Sequence, residues 1–311
     1  MLPPADFLRA VRRREPLRAD GATDALRLLD GAGDGREFDG LFVDDFAGRW
    51  LVSTTRAGQE PPAWLRGVLD GPGAPRSIYW KRLDARGEHQ QPPAWWAGET
   101  VDGPFAVREN NLAYHIDFQS GYSQGLFLDQ RDNRAALRAR LKPGTTVLNC
   151  FAYTCAFSVV AAAAGARTTS VDLSRASLDW GRENFRLNGL DPGDGNHEFH
   201  AGDVFEALDF RAKRGMRFDA VVLDPPTFSR DRKGRVFRAE DDFGRLAASA
   251  ARLLAPGGVM LCSSNARRLT EAGFRRQVVA GLDGEWRTAP APMPADFTGE
   301  SYLRALWVWR S

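Results

Sequence analysis

Polar residues follow several short apolar runs in the chain, at the points where strands are predicted to end. The runs end at or beside Asn149, Asp172, Asp203, Asp224 and Asn265. Because the ligand of an open α/β sheet lies beyond the carboxyl ends of its strands, we expect these side chains to meet at one site.

The first of these runs belongs to the segment around which the chain is organised. Residues 147–157 predict a strand, a turn of small residues and an alanine-rich helix, and Asp172 ends the next strand. This order is typical of a nucleotide site, in which the carboxylate binds the ribose hydroxyls. The pattern G-x-G-x-x-G is missing, so a pyrophosphate would have no backbone cradle. A ribose without a phosphate fits better, and S-adenosylmethionine is the common cofactor of that description. In many such units, however, the Asp only caps the next helix.

The later strand ends carry two further candidates. Asp203 and the Val204 backbone would bracket an adenine, although Asp203 could equally be the N-cap of the following helix. In residues 224–228, Asp-Pro-Pro-Thr-Phe, two prolines fix an extended turn that leaves the Asp224 carboxylate pointing at the substrate. Phe228 could then stack on a planar base, and positioning would supply most of the rate. The alternative interpretation is a rigid exit from the strand.

Composition excludes several classes of protein. Hydrophobic residues make up 43% and charged residues 26% of the 311 residues, as in an ordinary globular protein. Apolar runs stay well short of the roughly 20 residues of a membrane span. The start of the chain lacks the features of a signal peptide, so we expect a cytoplasmic protein with no membrane partner. The three cysteines lack metal-ligand spacing and predict reduced thiols without a metal site.

Arginines cluster in two segments, residues 9–18 and 230–238. Arginine pairs with phosphate and stacks on bases, so both segments are candidate RNA contacts. The net charge of +2 does not indicate nucleic-acid binding by itself, and a GC-rich coding bias explains the preference for arginine more simply. The short basic helix predicted at residues 5–14 is either a phosphate-binding arm or a solvated face.

Strands and helices alternate after Thr145, which predicts an α/β fold with a mostly parallel, doubly wound sheet. A strand pair near Trp286 and residues 302–309 predicts an antiparallel edge. A small α+β domain precedes this sheet and ends in a linker or flap at residues 81–103. The predicted limits are a basic arm at residues 1–24, the small domain at 25–103 and a catalytic domain at 104–311.

Five segments together resemble the bacterial methyltransferases that modify 23S ribosomal RNA of the large subunit. They are residues 126–134, 148–154, 171–174, 183–190 and 224–228. Residues 40–46 are similar to the small central domain of the same family. The resemblance implies a Rossmann-like class I methyltransferase fold, S-adenosylmethionine as cofactor, and 23S ribosomal RNA or a large-subunit precursor as partner.

The resemblance also implies roles for individual residues. Gln130 and Arg131 would line the methyl-transfer pocket. The predicted cofactor-binding residues are Gln130, Asn149, Phe151, Ala152, Tyr153, Thr154, Asp172, Leu173, Ser174, Asp203, Val204 and Asp224. The predicted catalytic residues are Arg131, Asp224, Pro225, Pro226 and Phe228, and the predicted substrate-binding residues are Arg230, Arg232 and Asn265.

The family contains guanine-N7 and cytosine-C5 enzymes, and the chain departs from the second group in two ways. Cytosine-C5 members typically begin with a PUA domain, for which the residues before the central domain leave no room. Their cysteine nucleophile follows the fifth strand, where this chain has Asn265. Thr227 and Asn265 are more similar to the N7 branch, so we expect guanine N7 methylation.

Cytosine-C5 methylation stays open at this stage, because two cysteines could supply the thiolate that this chemistry needs. Cys155 is predicted at a helix N-terminus, where its pKa would fall, and Cys262 lies close to the end of the fifth strand. A methyltransferase acting on a small molecule or a protein is a third possibility that shares the fold. A non-catalytic RNA-binding protein is a fourth.

Overall fold

The computed structural model describes residues 2–56, 58–71, 73–83, 91–121, 123–230, 234 and 236–310. The chain divides into two compact units. The first comprises Met1–Arg131 and Pro294–Ser301, and the second comprises Asp132–Met293 and Tyr302–Ser311. Backbone contacts thus group residues 104–131 with the first unit. The functional limits after residues 24 and 103 stay predictions.

The first unit is built on a five-stranded sheet with the strand order β1-β2-β3-β4-β5. All neighbouring strands are antiparallel except β3 and β4, which are parallel. A separate hairpin, β6–β7, belongs to the same unit. The strands are β1 (Ala25–Asp30), β2 (Leu41–Phe46), β3 (Arg49–Thr54), β4 (Ser77–Arg82), β5 (Ala94–Gly98), β6 (Phe105–Glu109) and β7 (Leu112–Ile116).

The N-terminal basic segment is packed against this sheet. It forms helix α1 (Ala5–Arg14), which buries Phe7, Ala10 and Arg14. The Phe7 ring contacts Trp64 with the ring centroids 4.7 Å apart, and Trp64 opens the short helix α2 (Trp64–Gly67). Burial of one face of the helix leaves the arginines of the opposite face in solvent, as expected for an amphipathic helix.

Residues 294–301 come from far along the chain and are held in the first unit by buried charges. The Arg131 guanidinium donates to both carboxylate oxygens of Asp296, at 3.0 and 2.6 Å. Asp296 also accepts from the Arg27 backbone N–H at 2.9 Å, and its carbonyl accepts from Arg14 at 2.6 Å. A Cβ on Gly33 would lie 2.3 Å from the Gly299 nitrogen, so the two backbones approach as closely as glycine allows.

The second unit is built on a seven-stranded sheet with the order β10-β9-β8-β11-β14-β16-β15. The first five strands in this order are parallel, and β16 is antiparallel to both of its neighbours. This is the doubly wound sheet with an antiparallel edge predicted from the sequence. The strands are β8 (Thr146–Cys150), β9 (Arg167–Asp172), β10 (His197–Ala201), β11 (Phe218–Leu223), β14 (Leu254–Ser264), β15 (Trp286–Pro290) and β16 (Arg304–Arg310).

Helices connect the parallel strands, and a hairpin follows β11. The apolar faces of β11, β14 and helix α7 form one core that includes Val221, Phe243 and Met260. Within the described residues, none of the helices is long and apolar enough to cross a membrane. The remaining elements are α3 (Arg131–Arg140), α4 (Ala156–Ala163), α5 (Arg175–Leu187), α6 (Val204–Lys213), α7 (Ala239–Ala251), α8 (Glu271–Ala280), β12 (Phe228–Arg230) and β13 (Val236–Arg238).

The buried pair predicts a large effect of one substitution. Asp296→Ala would leave Arg131 buried without its carboxylate, which typically costs about 3–5 kcal/mol of folding free energy. Asp39→Ala is the matched control, because the ion pair of Asp39 with Arg56 is largely exposed and should contribute less than about 1 kcal/mol. Urea unfolding of the two variants measures the difference. Equal unfolding free energies would show that Asp296 does not hold residues 294–301 in place.

Candidate active site

The carboxyl ends of the parallel strands lie side by side in the second unit. Cys150 is in register with Val171 of β9 and with Leu223 of β11, and Leu223 is in register with Cys262 of β14. The residues that directly follow these positions are Phe151, Asp172, Asp224 and Ser263. The sheet therefore brings the predicted cofactor residues and the predicted catalytic turn to one edge.

The turn between β8 and α4 has an unusual backbone. Phe151, Tyr153 and Cys155 have φ angles of 59°, 48° and 61°, in the left-handed region that residues with a Cβ rarely adopt. Each such residue costs on the order of 1–3 kcal/mol, so the surroundings must hold the turn in place. The cofactor is predicted at this turn, which agrees with the general clustering of backbone strain at functional sites.

Asp172 provides one of the restraints. Its carboxylate accepts from the Tyr153 backbone N–H and from the Ser174 backbone N–H, both at 2.8 Å. Burial raises the pKa of Asp172, while these two hydrogen bonds lower it. The Ser174 side chain is the N-cap of α5 and accepts from the Ser177 N–H at 3.1 Å. Each carboxylate oxygen of Asp172 keeps a second lone pair, which can accept from a hydroxyl group.

Buried amides hold the same turn from below. The Asn149 amide donates to the Ser158 hydroxyl at 3.0 Å, and Ser158 is 2.7 Å from the Ser170 hydroxyl. The Asn184 amide, from α5, donates to the Thr154 carbonyl at 2.9 Å. Asn149 and Thr154 are buried, so their observed contacts are with the protein interior. Their predicted contact with the cofactor stays a prediction.

A cavity of about 50 Å³ lies beside this turn. Asp203 lines it and is also the N-cap of α6, where its carboxylate accepts from the Glu206 N–H at 3.0 Å. The Arg245 guanidinium covers the Phe205 ring at 4.2 Å from its centroid. Aromatic and aliphatic residues, the polar Ser229, the acidic Asp203 and the basic Arg245 thus surround the space. The lining residues are Phe151, Leu173, Asp203, Val204, Phe205, Ser229, Val236, Phe237 and Arg245.

The Asp-Pro-Pro-Thr-Phe turn is fixed by the neighbouring strand. The Ser263 hydroxyl donates to Asp224 Oδ1 at 2.6 Å, and the Thr227 hydroxyl donates to Asn265 Oδ1 at 2.6 Å. Pro225 is buried and Pro226 is exposed. Phe228 keeps 50% of its surface exposed, so its ring is accessible to a base.

The remaining predicted residues are buried or lie outside the described part of the chain. Gln130 and Arg131 are buried in the first unit, where Arg131 binds Asp296. Ala152 is buried in the turn, and its backbone N–H donates to the Val171 carbonyl at 3.0 Å. The side chain of Arg230 and all of Arg232 lie outside the described residues.

The cysteines contradict one expectation. Cys155 does precede α4, but it is fully buried, and burial raises its pKa to about 12. The prediction of a lowered pKa is therefore wrong, because desolvation of the thiolate outweighs the effect of the helix N-terminus. Burial also raises the pKa of Cys150 to about 12 and raises the pKa of Cys262.

Sequence reasoning missed several residues that shape this edge. Ser263 orients Asp224, and Phe237 contributes a wall of the cavity from β13. Gly181 lets α5 approach the turn, because a Cβ there would lie 2.4 Å from the Cys155 sulfur. The serine-rich end of the fifth strand was visible in the sequence, whereas nothing local indicated the roles of Phe237 and Gly181.

The fold is that of a Rossmann-like protein, and comparison with known proteins gives its family. A family model described as S-adenosylmethionine-dependent methyltransferase matches residues 80–274, more than half of the chain. The chain belongs to this methyltransferase family, and its cofactor is S-adenosylmethionine.

Individual relatives agree with this assignment. Ribosomal RNA large subunit methyltransferase I of Aeromonas salmonicida is 33% identical over 89% of this chain and 71% of its own length. A Bacillus subtilis protein, YwbD, named for ribosomal RNA large subunit methylation, is 37% identical over 83% of this chain. The chain spans 65% of the length of YwbD. Among solved structures, SMU.776, described as a methyltransferase complexed with SAH, superimposes with a TM-score of 0.81 at 27% identity over 97% of this chain and 80% of its own.

The close approach at Gly181 yields a test of the turn. Gly181→Ala would place a methyl group against Cys155, and such overpacking costs about 1–3 kcal/mol, more than the helix propensity that alanine adds. We expect displacement of the turn and weaker binding of S-adenosylmethionine in calorimetry. The double variant Cys155→Ala/Gly181→Ala removes the sulfur and should recover part of the affinity. Wild-type affinity in Gly181→Ala would contradict this role of the turn.

Proposed function

We propose that this protein transfers a methyl group from S-adenosylmethionine to N7 of a guanine in ribosomal RNA of the large subunit. The observation that carries the proposal is that two structural features lie side by side at the carboxyl ends of the parallel strands. The cavity lined by Asp203 and several aromatic residues lies beside the turn after β8. The Asp224–Phe228 turn follows the neighbouring strand β11. The relatives named for large-subunit ribosomal RNA supply the substrate class.

The side chains at the carboxyl ends of the parallel strands match the chemical groups of S-adenosylmethionine. Asp172 presents carboxylate oxygens for a ribose diol, and its position at the end of β9 is the usual place for that acceptor. Phe151, Leu173 and Phe205 offer apolar surfaces to an adenine ring, and Asp203 offers an acceptor for its amino group. When bound, the cofactor supplies a methyl group on a positively charged sulfur, which a nucleophile can attack directly.

Guanine N7 is such a nucleophile, because its lone pair lies in the ring plane and carries no proton. The protein therefore has to orient the base without removing a proton from it. Phe228 is exposed for stacking, and Pro225 and Pro226 fix the direction of the turn. The base gains positive charge as the new bond forms. The Asp224 carboxylate, oriented by Ser263, can stabilise that charge.

The cysteines favour N7 over C5 of cytosine. Attack at C5 requires a thiolate that adds to C6 of the base, so a cysteine must reach the substrate and ionise. All three cysteines of the chain are buried, and burial raises the pKa of each thiol. The position that carries the nucleophile in the C5 group is Asn265, which is bonded to Thr227.

The target base has to leave its stack to reach this edge. Double-stranded RNA holds the N7 edge of guanine in its deep, narrow major groove, whereas loops and bulges expose that edge. Enzymes that modify a base commonly extrude it into the site and bind it by stacking. A loop of the ribosomal RNA, free or in a partly assembled subunit, is therefore the proposed substrate.

Two aspartates separate the cofactor role from the base role. We expect Asp224→Ala to lower kcat by about 100-fold or more, the usual effect of losing a group that stabilises transition-state charge, while the Kd for S-adenosylmethionine changes little. Asp172→Ala should weaken cofactor binding, because the ribose acceptor and the turn restraint are both lost. Calorimetry and single-turnover methylation measure the two effects. Loss of cofactor binding in Asp224→Ala would contradict its assigned role.

The modified nucleoside identifies the reaction. After incubation of a 23S RNA transcript with the protein and S-adenosylmethionine, mass spectrometry of the nucleosides should show 7-methylguanosine. Cys262→Ala should keep the activity within a few-fold, since direct attack needs no thiol, although the core cavity lowers stability. Formation of 5-methylcytidine, abolished in this variant, would establish the cytosine-C5 reaction instead. No methylation of RNA would point to another class of substrate.

A further inference from the structure

The second unit has an open groove at the amino ends of its parallel strands. Its volume is about 760 Å³. Arg217 precedes β11, Arg252 precedes β14, and Trp286 and Arg310 lie where β15 begins and β16 ends. Asp172 ends β9 and Asp224 directly follows β11. The groove and the proposed methylation site therefore lie at opposite ends of the parallel strands.

The groove is lined by three guanidinium groups, and none of its lining residues is acidic. Arg217 donates to the Met216 carbonyl at 2.9 Å, and Arg310 covers the Trp286 ring at 5.4 Å from its centroid. Arg252 is 3.8 Å from a carboxylate oxygen of Asp209, with both side chains about half exposed. An exposed pair at this distance contributes little. Because each guanidinium has five N–H donors, these contacts leave donors for a phosphate.

The floor of the groove is made of small residues. Pro256, Gly257 and Gly258 lie in the segment that opens β14. A Cβ on Gly258 would lie 2.9 Å from the Ala255 carbonyl oxygen and 3.0 Å from that of Asp219, so only glycine fits without displacement. Gly257 has a φ of 75° and open space beside it. A strand of RNA can thus approach the backbone closely.

We propose that this groove binds the phosphate backbone of the RNA substrate, away from the base that is methylated. The proposal rests on the proposed function and adds a second contact for the same ribosomal RNA. It is argued from charge complementarity, because three arginines facing an open groove match the repeated charges of a nucleic-acid strand. The groove would anchor the RNA, while the carboxyl edge binds the target base.

Salt dependence tests the groove. We expect the triple variant Arg217→Gln/Arg252→Gln/Arg310→Gln to bind a 23S RNA transcript about tenfold more weakly at low salt. The negative slope of log affinity against log salt concentration should become shallower by about 2, because each lost phosphate contact to single-stranded RNA reduces its magnitude by roughly 0.7. Fluorescence anisotropy titrations at salt concentrations between about 50 and 200 mM give the affinity and the slope.

A matched triple separates the groove from the general charge. Arg167→Gln/Arg275→Gln/Arg276→Gln makes the same change in net charge at exposed positions outside the groove. We expect it to keep nearly wild-type affinity and slope. Equal losses in the two triples, or no loss in the groove triple, would overturn the proposal. Unchanged binding of S-adenosylmethionine in both variants would show that the second unit is intact.

Methylation assays distinguish failure of the groove from failure of the proposed function. We expect the groove triple to raise KM for RNA and to leave kcat nearly unchanged. If the wild-type protein methylates no RNA, the proposed function fails, while the anisotropy slopes still decide whether the groove binds RNA. A loss seen only with partly assembled subunits, and absent with the transcript, would assign the groove to a ribosomal protein and overturn the RNA proposal.

Discussion

The left-handed turn after β8 is the constraint on which the proposed methylation site depends. Three residues with a Cβ adopt positive φ angles within five positions, and the backbone alone would not keep them there. Asp172 holds the turn through the Tyr153 N–H, and Asn184 holds it through the Thr154 carbonyl. The predicted ribose acceptor is therefore also a structural restraint. Asp172 is not the cap of the next helix, because Ser174 is the N-cap of α5. A ligand role is compatible with its role as a restraint, because a carboxylate has several acceptor positions.

The sequence predicted the sheet of the second unit because its signals are local. Buried parallel strands appear as apolar runs, and the connecting helices show their own periodicity. The expected antiparallel edge is confirmed as β15 and β16. Where a signal was weak, prediction failed. Strand β5 lies in the stretch predicted as a linker or flap, and most of its residues are exposed, so the alternation of apolar and polar residues is missing. Helix α8 was not predicted either, because a helix that buries only Phe274 and Val278 has a weak apolar pattern.

The contact that fixes residues 294–301 could not be predicted from the sequence. The guanidinium of Arg131 binds Asp296, which is 165 positions later, and its predicted place in the methyl-transfer pocket stays a prediction. A carboxylate between Ala295 and Phe297 carries no local signature of such a partner. The structure places residues 294–301 in the first unit and returns the chain to the second at Tyr302, so the two units are joined by three crossings of the chain. A buried charged pair at this position is strongly destabilising to break, which favours a single path for the segment.

The proposed reaction at guanine N7 removes no proton from the substrate. A C5 mechanism would need a thiolate at the substrate and later a base for the C5 proton, yet the thiols of this chain are buried and their pKa values are raised. Attack by guanine N7 needs neither group, and it leaves the ring positively charged. A fixed carboxylate suits that product, and Ser263 fixes Asp224 by a 2.6 Å hydrogen bond on the strand next to it. Asn265, which the resemblance places at the position of the C5 nucleophile, accepts from Thr227 and so holds the turn that carries Asp224.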